Sequence, residues 1–244
     1  MTGAVIVLWS VPRSRSTAFF RMMLQRGDHI AVHEPFSTLA EHGAADVGGR
    51  IAHDEAGVVA ALRELAERAP VFVKDTTDAR YPAVLADEAF LGGLARSAFL
   101  IRHPAETIPS YFAVNPRVRS EQIGFTHLWE LFERVRSLTG TTPPVIDAED
   151  LVAAPEATVA RFCELFGLPF LAEAMTWPAG DRPEWQATRR WHADVARSTT
   201  LTRRPPSHAV DLDAVPHLAG YLAHHEPVYR ELRRHRVRPA GERP

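Results

Sequence analysis

Four sets of residues have types and spacing suited to chemistry on an anion. The first is the run Ser10-Val11-Pro12-Arg13-Ser14-Arg15-Ser16-Thr17. It separates an apolar, β-branched stretch from a helix-like one. A loop in that place sits at the carboxyl end of a strand and the amino end of a helix, where backbone N–H groups and the helix dipole face a ligand. Arg13 and Arg15 add forked donors, and Ser14, Ser16 and Thr17 add hydroxyls, a set suited to phosphate or sulfate. The same residues can serve more simply as a helix cap with solvent-facing arginines. The loop lacks the glycine pair and the lysine of GxxxxGK[ST], which disfavours a magnesium-dependent nucleotide hydrolase.

The second set is Arg102, in Ile101-Arg102-His103-Pro104, with Ser110 following in the next helix-like stretch. An arginine at a strand end and a hydroxyl beside it can hold a second phosphate. The third is the adjacent pair His33-Glu34, two potential bases about 20 residues past the loop. The fourth is Lys74, the one lysine among 28 basic residues. It can bring positive charge to a cleft or form a surface pair with Asp75 or Asp78. His103 reads as a strand-end residue, and His224 and His225 as structural or exposed, with no metal-ligand spacing to a third group.

The elements that must position these groups follow from hydrophobic periodicity. Residues 4–9 form a buried, β-branched strand of the parallel type. Further strands are expected at 29–33, 71–74, 97–102 and 144–147. Helices are expected at 17–25, 58–69, 82–94, 105–112, 124–138, 155–166 and 215–234. Residues 38–55 are rich in Gly and Ala with weak periodicity and read as a loop or lid. Residues 171–216 show no clear period, and 235–244 read as a frayed tail. This alternation predicts an α/β fold: three α/β/α layers around a central, mostly parallel sheet. We expect one domain over residues 1–244, with 171–216 a loop-rich elaboration over the active site.

The 244 residues carry a formal charge of −2, and 45% are apolar. That balance argues against a nucleic-acid coat or a polybasic membrane binder. The single cysteine, Cys163, excludes an intrachain disulfide and a thiolate metal cage. It lies on an apolar helix face and is expected to be buried. No apolar run reaches the roughly 18 residues of a membrane span. The N-terminus reads as a first strand and not as a signal peptide. A cytoplasmic location is the expectation.

Three stretches together resemble the sulfotransferase family: the loop SVPRSRST, the segment FLIRHPAETIPSYFAV, and VIDAEDLVAAPEATVARFCELFGLPF. The similarity runs over about residues 4–170 in the family's order. It implies a P-loop-like fold and use of 3′-phosphoadenosine-5′-phosphosulfate (PAPS) as donor. By resemblance, Arg13 takes the place of the basic residue on the 5′-phosphosulfate, and Ser16 and Thr17 the hydroxyls at the helix start. Arg102 and Ser110 take the 3′-phosphate positions. Arg15 departs from the family, which usually has glycine there.

Sulfuryl transfer is an in-line displacement whose charge cations and N–H groups stabilise, so no metal is required. The acceptor hydroxyl needs a base. A glutamate at the end of the second strand resembles the bacterial and carbohydrate-type members, which favours Glu34 over His33. Lys74 is placed to neutralise the bridging oxygen. A late basic loop often closes over the nucleotide in this family. Here residues 185–204 would supply it, with Trp185 or Trp191 on the adenine or the acceptor. The expected partner is a small-molecule acceptor, a hydroxyl or an amine, and the Trp and Arg content suits a partly apolar, anionic one. The rival readings are a small-molecule kinase of the same fold, a non-catalytic nucleotide-binding protein, and a sulfotransferase using an aryl sulfate.

Overall fold

Val5–Ser10 forms strand β1, and its alternation divides the core in two. Successive strand side chains point to opposite faces. Val5, Val7 and Trp9 therefore enter one apolar cluster, and Ile6 and Leu8 the other. This is seen in a computed structural model of the chain that describes residues 3, 5–202, 210–212 and 214–239.

The chain continues through α1 (Ser16–Arg26), β2 (Ile30–His33), α2 (Pro35–His42), β3 (Ala45–Val47), β4 (Arg50–Ala52) and α3 (Glu55–Arg68). Next come β5 (Val71–Thr76), α4 (Pro82–Ala86), β6 (Ala95–Ile101), α5 (Pro104–Phe112) and α6 (Phe125–Thr139). The last elements are β7 (Val145–Asp147), α7 (Ala148–Ala153), α8 (Pro155–Phe166), α9 (Ala193–Ala196) and α10 (Pro216–Arg234).

Five strands form one sheet in the order β2-β5-β1-β6-β7, and every pairing in it is parallel. Helices α3, α6 and α10 cover one face, through Val58, Leu62, Leu128, Phe132 and Leu218. Helices α1 and α8 cover the other, through Phe19, Phe20, Phe162 and Phe166. The expected three-layer α/β/α fold with a parallel sheet is what forms. Cys163 is buried on α8 as expected.

Local chemistry sets the helix ends. The Asp54 carboxylate accepts the Gly57 N–H at 2.6 Å and starts α3. Pro155 opens α8, and Gly167 closes it at φ +69°. His103 accepts the Ala105 N–H on Nδ1 at 3.1 Å, which makes it the cap of α5.

Three expectations change. Residues 38–55 are not an open loop. They hold the end of α2 and an antiparallel hairpin, β3 with β4, that turns at Gly48 and Gly49, both at positive φ. The 82–94 helix is two pieces, α4 and a π-turn over Phe90–Leu94. The tail is not wholly frayed: Val237 N–H donates to the Val145 carbonyl at 2.7 Å, adding a bridge beside β7. Residues 203–209 and 240–244, which include Arg203 and Arg204, lie outside the described residues.

Gly124 ties this frame to the phosphate-type loop. Its φ is +88°, and an added Cβ would meet the Thr77 carbonyl at 2.8 Å and Pro12 Cδ at 3.0 Å. The Gly124→Ala variant should lose about 1–3 kcal/mol. Urea denaturation checks this: the midpoint falls while the slope stays constant.

Candidate active site

The carboxyl ends of β1, β2, β5 and β6 open onto one cavity of about 700 Å³. That is the size of a small-molecule or cofactor site, placed where open parallel sheets bind ligands. Arg13 and Arg15 line it from the loop after β1, Ser16 and Thr17 from the first turn of α1, Arg102 from the β6–α5 turn and Ser110 from α5. Glu34 and Lys74 line it from β2 and β5. The sequence-expected residues thus converge, with two exceptions. Ser14 is buried outside the lining, and its hydroxyl has no hydrogen-bond partner among the described residues. The His33 side chain packs behind Glu34 against Phe20 and Trp185.

The basic strip is continuous. Arg13 Nε donates to Ser110 Oγ at 3.1 Å, and Arg102 Nη1 donates to the Arg13 carbonyl at 3.0 Å. Residues expected at opposite ends of a nucleotide therefore touch through Arg13. Arg102 also pairs with Glu106 at 2.6 Å. The N-terminus of α1 has no side-chain cap. An uncapped helix start facing several guanidinium groups is a donor set fitted to phosphate and sulfate.

Backbone strain gathers at the same place. Arg13, Arg15 and Glu34 are the non-glycine residues at positive φ among the described ones, at +63°, +69° and +48°. Each such conformation costs roughly 1–2 kcal/mol. The departure at Arg15 now has a physical meaning: the loop takes a left-handed turn there, which glycine would take freely.

Lys74 and Glu34 form a buried ion pair, at 1% and 9% side-chain exposure. Lys74 also donates to Thr17 Oγ1 at 3.4 Å. The lysine does not take the surface pair with Asp75 or Asp78 that its sequence position allowed. Asp75 instead accepts the N–H groups of Phe36 and Ser37 at 2.7 and 3.1 Å and holds the start of α2. Burial pushes the Glu34 carboxyl up, but the charge of Lys74, then His33 and His192, and the Lys74 hydrogen bond bring it down to about 2.

Sequence reasoning missed His192. It comes from the loop between Trp177 and Thr199, whose ends are joined by the bridge of Thr176 with Thr200. His192 Nδ1 lies 3.2 Å from Thr17 Oγ1, and its Nε2 lies 3.1 Å from Thr188 Oγ1 and 3.9 Å from Glu34 Oε2. Burial lowers it to about 4, so it is neutral at physiological pH. His33, Glu34 and His192 bring ligand-type atoms within 4.8 Å of one another, a set that could hold a metal ion. Lys74 already supplies positive charge to the same carboxylate. No local signal marks His192 as a site residue, because its partners in the cavity, Thr17 and Glu34, are more than 150 residues away.

The two candidate tryptophans divide. Trp185 is a core residue at 1% exposure, and Trp191 lines the cavity. Arg13 Nη1 donates to the Trp191 carbonyl at 2.5 Å, and Arg190 pairs with Glu41 of α2 at 2.5 Å. The late loop is therefore fastened across the cavity at both sides.

The ion pair predicts a pH dependence. Glu34 titrates below its ordinary 4.5, so its contribution is complete above about pH 4.5 and is lost as pH falls toward 2. The Lys74→Met variant leaves the carboxylate buried and unpaired. It should cost about 3–5 kcal/mol at neutral pH. That deficit should shrink as acid protonates Glu34, a trend that urea melts from pH 7 down to about pH 3 would measure.

Comparison with known proteins agrees with this geometry. A family model for the sulfotransferase domain matches residues 4–223. Two curated proteins of Arabidopsis thaliana are similar. Branched-chain-amino-acid aminotransferase-like protein 1 is 30% identical over 207 residues, covering 80% of this chain and 36% of that protein. Branched-chain-amino-acid aminotransferase-like protein 2 is 27% identical over 209 residues, with the same shares. The chain therefore spans about a third of the length of the curated relatives it matches. Among solved structures, the sulfotransferase domain from the Synechococcus PCC 7002 olefin synthase aligns over 91% of this chain and 96% of that one. Its TM-score is 0.54 at 17% identity, a likeness of fold. No described helix is long and apolar enough to cross a membrane. With a family match that spans most of its length, the chain belongs to the sulfotransferase domain family.

Proposed function

We propose that this chain transfers a sulfuryl group from PAPS to a hydroxyl of a small-molecule acceptor, with Glu34 as general base. The observation that carries this reading is the shared position of Lys74. Its ammonium reaches both Glu34 and Thr17, the hydroxyl at the helix start of the anion loop.

When bound, PAPS supplies an activated sulfuryl group on a phosphate leaving group. Arg13, Ser16, Thr17 and the uncapped start of α1 would hold its 5′ end, with Ser14 shaping the loop and Arg15 at its rim. Arg102 and Ser110 would hold the 3′-phosphate. In a loose displacement, charge gathers on the equatorial and leaving oxygens, where fixed cations are worth most. Lys74 would do that work, and its reach to Thr17 supports the role.

A carboxyl held at about 2 is a weak base while its lysine sits on it. Lys74 has a second place to go, beside Thr17, and negative charge at the loop favours that move. Glu34 then loses its main counter-charge and becomes more basic where an acceptor hydroxyl can reach it. Glu34 is preferred to His33 because Glu34 lines the cavity, whereas the His33 ring packs behind it on Phe20 and Trp185. No step asks for a metal. A non-catalytic nucleotide binder would share the frame without needing the Lys74–Glu34 arrangement, and a kinase of this fold would need the glycine- and lysine-bearing loop that residues 10–17 lack.

Isothermal titration without metal tests the reading. The product nucleotide 3′-phosphoadenosine-5′-phosphate (PAP) should bind, and ATP and the analogue lacking the 3′-phosphate should bind at least ~10-fold more weakly. The Arg102→Ala variant should lose ~10-fold or more in PAP affinity. Glu34→Gln should keep that affinity and lose ~10²-fold or more in turnover. Preference for Mg-ATP would overturn the assignment.

A further inference from the structure

The two oxygens of Glu34 are not equivalent. Oε1 accepts from Lys74. Oε2 accepts no hydrogen bond among the described residues, and two imidazole nitrogens face it instead. His33 Nδ1 lies 3.8 Å from it, and His192 Nε2 lies 3.9 Å from it. Both separations are too long for hydrogen bonds. Each is close to twice a zinc–nitrogen or zinc–oxygen bond of about 2.0–2.1 Å. Small side-chain rotations would therefore bring all three atoms onto one ion.

His33 adds a second, independent observation. Its side chain is 2% exposed, and its Nε2 has no hydrogen-bond partner among the described residues. An imidazole buried in this way carries an uncompensated desolvation cost, which a coordinate bond at Nδ1 would offset. Its ring meets the His192 ring edge to face at 4.8 Å between centroids. The outer contacts are of the kind that orient metal ligands. Lys74 holds Oε1 and leaves Oε2 for an ion, so ammonium and ion would share one carboxylate on different oxygens. Thr17 Oγ1, 3.2 Å from His192 Nδ1, can accept a proton from it, which leaves the lone pair on Nε2. The Thr188 hydroxyl, 3.1 Å from Nε2, would yield its place to the ion. Glu34 and His192 line the cavity, which gives an ion its way in.

We infer that His33 Nδ1, Glu34 Oε2 and His192 Nε2 form a site for one first-row divalent ion, zinc foremost. Two imidazoles and a carboxylate suit zinc, cobalt, nickel or copper better than magnesium or calcium, which prefer all-oxygen sites. The ion takes the oxygen that Glu34 would turn to an acceptor hydroxyl, so zinc bound there inhibits the transfer. That consequence rests on the sulfuryl-transfer reading; the site itself does not need it.

The test uses the full chain, stripped with EDTA and dialysed, near pH 7 and without nucleotide. Zn²⁺ is titrated by calorimetry and Co²⁺ by visible absorbance. One ion should bind per chain, and Co²⁺ should show the intense bands of a four- or five-coordinate site. His33→Ala and His192→Ala should each weaken zinc binding ~10²-fold or more, since loss of an outer partner alone costs about 10–100-fold. Weak octahedral cobalt bands would overturn the site. So would a zinc affinity that stays within ~2-fold of wild type in both variants. Where a variant does not fold, the stoichiometry and cobalt spectrum of the wild-type protein decide. In an assay of PAP released from PAPS, saturating Zn²⁺ should cut the rate ~10-fold or more, and EDTA should restore it. An unchanged rate in the zinc-loaded protein would overturn the capture of Glu34. Failure of PAP to bind the metal-free protein counts against the donor reading only, since the ion is titrated without nucleotide.

Discussion

The Lys74–Glu34 pair lies where two strands and the anion loop meet, and the rest of the site is arranged around it. Parallel pairing sets His33 of β2 opposite Lys74 of β5, so the next residue, Glu34, turns over the sheet edge beside the lysine. The Glu34 N–H donates to the Lys74 carbonyl at 2.7 Å and locks that step. A buried pair of charges repays its desolvation only when the geometry is fixed and neighbouring groups help. Here the help comes from Thr17, whose hydroxyl accepts from Lys74. Losing one member would leave the other as an unpaired buried charge.

That constraint accounts for where strain is tolerated. Arg13, Arg15 and Glu34 adopt left-handed backbone within the loop and strand end that form the cavity floor. Their side chains are then fixed by partners: Arg13 by Ser110 and the Trp191 carbonyl, and Glu34 by Lys74. Strain of this kind persists only where surrounding contacts over-determine it. The layered core supplies that rigidity, with both faces of β1 fully covered.

The sequence was most legible where burial repeats with a short period. The β-branched runs at β1 and β5 and the apolar faces of α6 and α8 announce themselves, because each residue's environment is set by near neighbours. The loop after β1 and the strand-end positions of Arg102 and Lys74 follow from the same logic. Residues 38–55 misled because Ala and Gly carry little pattern, while α2 is held by Asp75 from a distant strand. His192 was invisible for the same reason, its partners Thr17 and Glu34 being remote in the chain.

One compositional fact gains meaning from its location. Lys74 is the only lysine in the chain, and it sits at 1% side-chain exposure inside the cavity. Incorporating isotopically labelled lysine would therefore mark a single side-chain nitrogen, at the point where strand, loop and carboxylate meet. Its resonance would have no others to overlap with. The protein carries its own one-atom reporter, and whatever enters or leaves the cleft must register at that atom.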